Sequence, residues 1–509
     1  MPARPAIEYV QRIALQSPAE RNVAVMSQVP AGTLLRPRGC LFLLASACAF
    51  AALADLFFYP PFPVGWPIGA FAGLLALPLV ARAGRRLDGP AALALCTAWG
   101  LVPALVYDPG VLPATLAAVS LATLSIRLRA PAVRTVPAWV ARLGAFALLG
   151  PFTLLTDLPL LRRLAPRSRR LRPLLRWALP VALSLFFVGL FALANPIIED
   201  WVREALRRIG NFLSSLVEGG RVLIWIAAWL LTWALLRFRP RAIGRAAPPP
   251  AGGRPALIGH DVVTRCLFLF NMVFAVQTVL DIRYLWYGAA LPPDLTYAGY
   301  AHRGAYPLVA ATLASAAFVL IAFRPGSRTE RLSTARWLVA AWLAQNMLLA
   351  AASVWRLRLY IDAYSLTRFR IAAVIWMALV GAGLFWLLWR IVRARSNDWL
   401  VTQCAATAAA VLYLCAFVNF DSLIALHNVS HCREAGGKGA KLDTAYLQAL
   451  GIDALPALRR LAATADGERL KSFAALRTDE LQGELARLLG DWRGWTYHRQ
   501  RLRDGAPSP

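Results

Sequence analysis

Charge is what this chain has least of. Charged residues fill 16% of its 509 positions, against 58% for hydrophobic residues with glycine left out. A soluble protein carries about 25% charged residues and about 45–50% apolar ones with glycine counted. A chain this long could bury a large core, but in water it would still need a polar skin, and the residues for one are missing. The same composition excludes a disordered chain, a collagen and a disulfide scaffold. Lysine is nearly absent: Lys438, Lys441 and Lys471 are the only three. The seven cysteines are scattered and form no CxxC pair, so neither a disulfide framework nor a thiol motif is indicated. The first 30 residues carry no cleavable signal pattern, and the first apolar stretch is expected to act as an uncleaved anchor. No phosphate-cradling Walker loop, dinucleotide fingerprint or nucleophile elbow occurs in a fitting context. The five histidines do not assemble into an evident Ser/His/Asp set.

What is present is a succession of apolar stretches separated by arginine. This predicts an all-α polytopic membrane bundle. The 55 Lys+Arg outnumber the 27 Asp+Glu, a net of +28. In a soluble protein that excess would suggest nucleic acid. Here the cations sit between apolar stretches, where membrane topology places them, so no nucleic-acid partner is implied. A hydrocarbon core needs about 20 apolar residues as helix. Eleven stretches qualify: 39–58, 64–81, 89–107, 111–126, 177–195, 222–237, 266–285, 304–323, 337–355, 371–389 and 399–420. A twelfth, 143–156, is short, about 21 Å as helix, with Gly150-Pro151 in its middle. If it does not span, 32 Lys/Arg fall inside and 10 in the outside loops. If it spans, the counts become 22 and 20 and the positive-inside bias vanishes. Eleven spans are therefore expected, with residues 127–176 forming one basic cytoplasmic segment. The amino terminus is then inside and the tail outside, periplasmic in a bacterial inner membrane. The cluster Arg162, Arg163, Arg167, Arg169, Arg170, Arg172 and Arg176 orients the chain, and its sharper reading is an anionic-lipid site.

The chain divides into a polar cytoplasmic segment 1–38, a transmembrane domain 39–427 and a helical tail 428–509. Within the domain, 197–217 alternates at helical spacing. Ile198, Trp201, Ala205, Ile209, Phe212 and Leu216 lie on one side and Arg203, Glu204, Arg207, Arg208 and Asn211 on the other. This predicts a helix lying in the outer interface. Trp225, Trp229 and Trp233 share a face, which reads as a packing or lipid stripe before it reads as a cofactor slot. In the tail, Asp443 is expected to cap a helix closed by Gly451, Asp453 a second with Pro456 in its first turn, and Thr478 to start a third. Such a tail suits a protein partner better than an active site.

Three polar constellations stand out, because burying polar groups in a bilayer is costly. The first is Asp261, Arg265, Asn271, Gln277 and Asp281, followed by Asp294, His302 and Arg303. The second is the amide pair Gln345 and Asn346 near mid-span. Together these are the candidate intramembrane site for an ion, proton or polar ligand. The plainer alternative is interhelical hydrogen bonding. Beyond the amide pair, Arg356, Arg358, Arg368 and Arg370 can form an outer anion-binding rim or simply snorkel. The third is Asn419-Phe420-Asp421 with His427 and His431. Histidines four apart on a helix can share a metal, with Asp421 or Cys432 as further ligands, but no second ligand pair accompanies them. These two are weak candidates, and no metal, cofactor or catalytic residue is assigned.

Several strings act in combination: Ala54–Tyr59 with Gly65-Trp66; Asp108-Pro109-Gly110; Ala192–Glu199; Asn271–Gln277 through Asp281 and Tyr284–Gly288; Tyr297–Gly304; Gln345-Asn346 through Arg358-Leu359-Tyr360 and Tyr364–Arg368; Val418–Asp421; Leu442–Leu447; and Asp453–Pro456. In these the chain resembles the bacterial multi-pass membrane family named domain of unknown function 4173, along nearly its whole length. One departure is Tyr287, where glycine is expected. The resemblance implies an integral membrane protein, and it carries over no activity and no catalytic residue. The function expected is a non-catalytic envelope assembly, sensor or scaffold role. The alternative is a transporter or permeation pathway for a small polar or ionic solute. An enzyme acting on a lipid-linked substrate ranks below both.

Overall fold

A computed structural model describes residues 37–59, 64–83, 87–129, 135–157, 184, 188, 196–217, 220–238, 260–287, 311–323 and 333–505. Among these residues every regular element is helical. The expected span 177–195, the arginine cluster 162–176 and the residues Asp294, His302 and Arg303 lie outside them.

Contacts divide the chain into two units. The first comprises Met1–Leu53 and Pro151–Leu236. It holds most of α1 (Pro37–Phe58), the helix α7 (Pro196–Val217) and α8 (Arg221–Arg237) up to its last residue. α7 has the expected two-sided character. Glu199 pairs with Arg203, and Glu204 with Arg207 and Arg208, at the spacings that meet on a helix surface. Trp201, 70% exposed, and Ile209 protrude with no apolar cover. On α8, Trp229 and Trp233 stack at 5.7 Å, and Trp233 donates its indole N–H to Asp157 at 3.1 Å.

The second unit comprises Ala54–Gly150 and Arg237–Pro509. In its first part are α2 (Pro67–Ala83), α3 (Gly89–Gly100), α4 (Val102–Tyr107), α5 (Val111–Arg127) and α6 (Val136–Leu149). Asp88 accepts from the Ala91 N–H and caps α3, with Pro90 in its first turn. Pro103 stands in the first turn of α4, and the expected span 89–107 is two consecutive helices that meet at Leu101. α6 ends at Gly150 after 14 residues, where the short stretch was expected to break.

The long helices follow: α9 (His260–Asp281), α10 (Ala311–Ala322), α11 (Ser333–Tyr364), α12 (Arg368–Val392) and α13 (Asn397–Cys415). Thr367 and Ser396 cap α12 and α13 through side-chain oxygens. α9 runs directly into a π-helical turn, Ile282–Trp286. Phe270, Phe318 and Trp342 interlock in the core between α9, α10 and α11.

Among the described residues six helices are long and apolar enough to cross a bilayer: Leu41–Phe58, Gly89–Tyr107, Asp261–Tyr284, Ser333–Tyr364, Arg368–Val392 and Asn397–Cys415. Four shorter apolar helices include α5 and α6. The chain is a membrane protein of helical construction, and these helices are counted among the described residues alone, which leave out the expected span 177–195 and part of 304–323.

The tail contains α14 (Phe420–His431), α15 (Thr444–Ala449), α16 (Leu455–Thr464), α17 (Glu468–Gly490) and α18 (Tyr497–Arg503). Asp443 caps α15 as expected, and Gly451 closes it at φ +62. Asp453 does not cap α16. It lies in a 3-10 turn, Gly451–Ala454, and its carboxylate turns to tertiary partners. α17 starts ten residues before Thr478, which is buried mid-helix with its hydroxyl on the Ala474 carbonyl. The tail is not a separate body. Leu366, Ile424, Ala425 and Val429 share one buried core with Leu455, Leu458, Leu461, Leu481 and Leu502.

Candidate functional site

The intramembrane residues are resolved into pairs. Asn271 on α9 donates to the Leu267 carbonyl and, across the interface, to the Leu338 carbonyl of α11 at 2.9 Å. Gln277 donates to Asp281 at 2.8 Å. Asp281 is 3% exposed and forms an ion pair with Arg356, itself 2% exposed, on α11. Asn346 is fully buried and donates to the Trp342 carbonyl at 2.8 Å. Gln345, one position earlier, is half-buried. Asp261 and Arg265 are exposed in the first turns of α9. Arg265 lies about 24 Å along the helix from Asp281 at 1.5 Å per residue. The structure thus brings Gln277, Asp281 and Arg356 together and leaves Asp261 and Arg265 apart from them.

The four rim arginines are divided. Arg356 turns into the bundle to Asp281. Arg358 lies over the Trp355 ring. Arg370 donates to the Tyr364 and Ser365 carbonyls and covers the Tyr360 ring. It steadies a turn in which Ser365 has φ +69. Asn428 clamps the same turn through both backbone groups of Leu366. Only Arg368 meets an acidic partner at the helix end: its Nε and Nη2 reach the two oxygens of Asp421 at 2.6 Å each.

His427 and His431 stack at 4.2 Å, and His431 Nδ1 meets the His427 carbonyl at 2.8 Å. Burial and the neighbouring His431 push the His427 imidazole below its usual value. Asp421 is held by Arg368, and Cys432 is buried with its thiol on the Val429 carbonyl. Neither joins the histidines. Among the described residues no three His, Cys, Asp or Glu side chains are grouped to hold a metal.

The densest polar network lies elsewhere, where the tail meets the span ends. Asn419 caps α14 by accepting from the Ser422 N–H at 2.8 Å. Its amide donates to Asp108 at 2.8 Å and to Asp453 at 3.0 Å. His498 Nε2 meets the same Asp453 oxygen, Oδ1, at 2.7 Å, and His498 is nearly fully buried. Tyr107 packs on the His498 ring. Burial, then the Asp453 charge, pushes the Asp108 carboxyl above the usual carboxylate range. Burial lowers the Arg499 guanidinium, against the pull of Asp108 and Asp453.

One side of this network opens into a groove of about 630 Å³. Its walls are apolar and come from α12, α13 and the start of α5. Its polar groups are Asp108, Asn419, Asp421 and Arg368, with the Tyr107 hydroxyl. The arrangement can hold an amphiphile by its chain and present carboxylates and a guanidinium to its head. Asp108 stands out in the sequence only within Asp108-Pro109-Gly110, and Asp453 only as an expected helix cap and within Asp453–Pro456. Nothing around His498 signalled a role, because a lone histidine beside tyrosine has no pattern of its own.

The family model for a domain of unknown function, DUF4153, matches residues 69–461. The chain belongs to that family. The number differs from the one that the resemblance suggested, and the family's unknown function agrees with it. The matched region includes Asp108, Asn419 and Asp453, while His498 lies beyond it. No curated protein and no solved structure matches the chain.

Proposed function

We propose that this DUF4153 protein is a non-catalytic scaffold or sensor of a bacterial cytoplasmic membrane, working through its helical cap. The observation that carries this reading is the fusion of the tail with the bundle. Ile424 and Val429, next to the last span, are fully buried against α16 and α17. The cap also reaches back to earlier connections. Gly65 donates its N–H to the Arg493 carbonyl, Trp66 its N–H to the Trp495 carbonyl at 2.9 Å, and the Trp66 indole donates to the Trp492 carbonyl. A cap held at several span ends transmits a displacement of one to the others, which suits sensing or assembly. Its outer surface keeps Leu476 65% exposed. The polar groups at depth bond with one another and with helix carbonyls, which favours a structural use of them over a solute path.

The cap lies on the outer, periplasmic side in this reading, and the amino terminus on the inner. The contact between Asp108 and Asn419 supports it, since residues in hydrogen-bond contact share a side. An even number of crossings must then separate them. Eight expected spans do so if 143–156 does not cross, and nine if it does. The amphipathic α7 lies in the outer interface, and the basic loops meet anionic headgroups on the inner face.

A photo-crosslinking residue at Leu476 or Gln482, both exposed on α17, tests the role in intact cells. A discrete protein adduct from these positions, and none from buried Leu481, is expected. A chain that forms no adduct from either position, while inserted and folded, would sink the scaffold reading. Cys432 is too buried to report sidedness. Gln482→Cys in a cysteine-free chain does so: labelling by an impermeant thiol reagent on spheroplasts is expected, and protection until lysis would place the cap inside.

A further inference from the structure

The groove beside Asp108 has the dimensions of one bilayer leaflet. Arg368 stands at its mouth, and Leu379 lines it eleven residues further along α12. That is about 16 Å of helix, about half of a hydrocarbon core of about 30 Å. Both flanking helices, α12 and α13, are long and apolar enough to span. The groove therefore starts at the level of the span ends and stops near the bilayer midplane. Ile371, Ile375, Trp376 and Leu379 line one wall and Leu412 the other. An apolar slot of this kind does not hold water well, and an acyl chain drawn from the surrounding leaflet fits both its depth and its chemistry.

The polar groups are confined to one end and carry both signs. Asp421 is spent on Arg368, but that pair is open to solvent at the mouth, with Arg368 55% exposed on its side chain. Asp108 gives one oxygen to Asn419 and lines the groove. Asn419 has no donor left, since the carboxylates of Asp108 and Asp453 take both N–H groups of its amide. A headgroup bearing only negative charge would face two carboxylates and one guanidinium. One bearing only positive charge would face the guanidinium. A zwitterion meets both with a partner of opposite sign.

We propose that this groove binds one acyl chain of an amino-phospholipid of the phosphatidylethanolamine class, with its phosphate at Arg368 and its ammonium at Asp108. The site is independent of whether the cap recruits a protein. The ammonium adds positive charge, beyond that of Arg499, beside a buried carboxylate that has Asp453 as a neighbour. The lipid then ties α5, α12 and α13 together at the level where the cap is attached.

Native mass spectrometry of the full-length protein, released from micelles containing equal phosphatidylethanolamine and phosphatidylglycerol of the same chains, tests it. One phosphatidylethanolamine per chain is expected, retained about tenfold over phosphatidylglycerol, the size of one charge-assisted contact. Asp108→Asn should level the two lipids. Ala372→Trp, which puts an indole into the slot, should abolish retention. Equal retention of both lipids by the wild type, a preference for phosphatidylglycerol, or unchanged retention in Ala372→Trp would each overturn the proposal. If Ala372→Trp does not fold, the wild type decides by itself. A phosphatidylethanolamine with a photoreactive group in its chain should label the α12 peptide containing Trp376, and labelling confined to other helices would refute the site.

Discussion

Asp281 and Arg356 stand 75 positions apart in sequence and meet at the α9–α11 interface, almost without exposure. Such a pair is poor evidence of net stability, because desolvation offsets most of its attraction. Its removal by halves is another matter. Asp281→Leu leaves a buried guanidinium without its counter-ion and is expected to cost about 3–5 kcal/mol, seen as a lower melting temperature in detergent. Asp281→Leu combined with Arg356→Met should recover most of that loss. A double variant as unstable as the single would show that Asp281 acts through something other than this pair. Asp108 gives a prediction of opposite sense. Burial and Asp453 raise its carboxyl above the usual aspartate value, so the folded chain holds that proton more tightly than the unfolded one. The stabilisation is complete below about pH 3.9, the unperturbed aspartate value, and is lost as pH rises through the raised folded value. Asp108→Asn removes this dependence. Its melting temperature should fall less steeply than the wild type's as pH is raised from about 4 to 7, and should equal or exceed it at the upper end. A steeper fall in the variant would mean that the Asp108 charge is needed for folding.

Helices were legible in the sequence wherever apolar runs met a capping residue. The expected cap Asp443 accepts from the first turn of α15, and Asp88 and Ser396, for which no cap was expected, do the same for α3 and α13. The amphipathic 197–217 is α7, within one residue at its start. What the sequence did not disclose is how polar side chains divide between local and distant partners. Asp453 stands two residues before Leu455 with the spacing of a cap, yet its carboxylate goes to Asn419 and His498. Local pattern cannot weigh a partner 45 positions away. The arginine rim failed as a single feature for the same reason. Arg356 and Arg358 are two residues apart on α11, so they leave the helix on different sides, and only one of them finds Asp281. The expected span 89–107 is broken at Pro103 between α3 and α4, yet it keeps the length and apolarity of a crossing. A bilayer is indifferent to whether such a stretch is one helix or two, provided that backbone groups are satisfied.

At the scale of the molecule, the second unit treats its tail as part of the bundle. The boundary expected near residue 427 falls inside α14, and the buried core runs across it from Leu366 to Leu502. The clasp at the first connection is as tight. A Cβ placed on Gly65 would lie 2.1 Å from the Trp495 carbonyl oxygen, so the two backbones can approach only because that position is glycine. Phe57, Trp66 and Trp492 then close around it in mutual ring contact. Deleting 433–509 would therefore do more than remove an appendage. It would uncover Ile424, Ala425, Val429 and Leu366, apolar side chains worth about 1.5–3 kcal/mol each for the larger ones when fully buried. It would also leave Asp108 and Asn419 without Asp453 and His498. The truncated chain is expected to insert but to lose its melting transition and to be cut rapidly by protease between α11 and α14. The isolated segment 433–509 is expected to show helix without a cooperative transition, because Leu366, Ile424, Ala425 and Val429, which close one side of its core, belong to the bundle. A truncated chain that melts as the full-length protein does would show that the cap is an independent domain, and the mechanical linkage from span ends to cap would then have no basis.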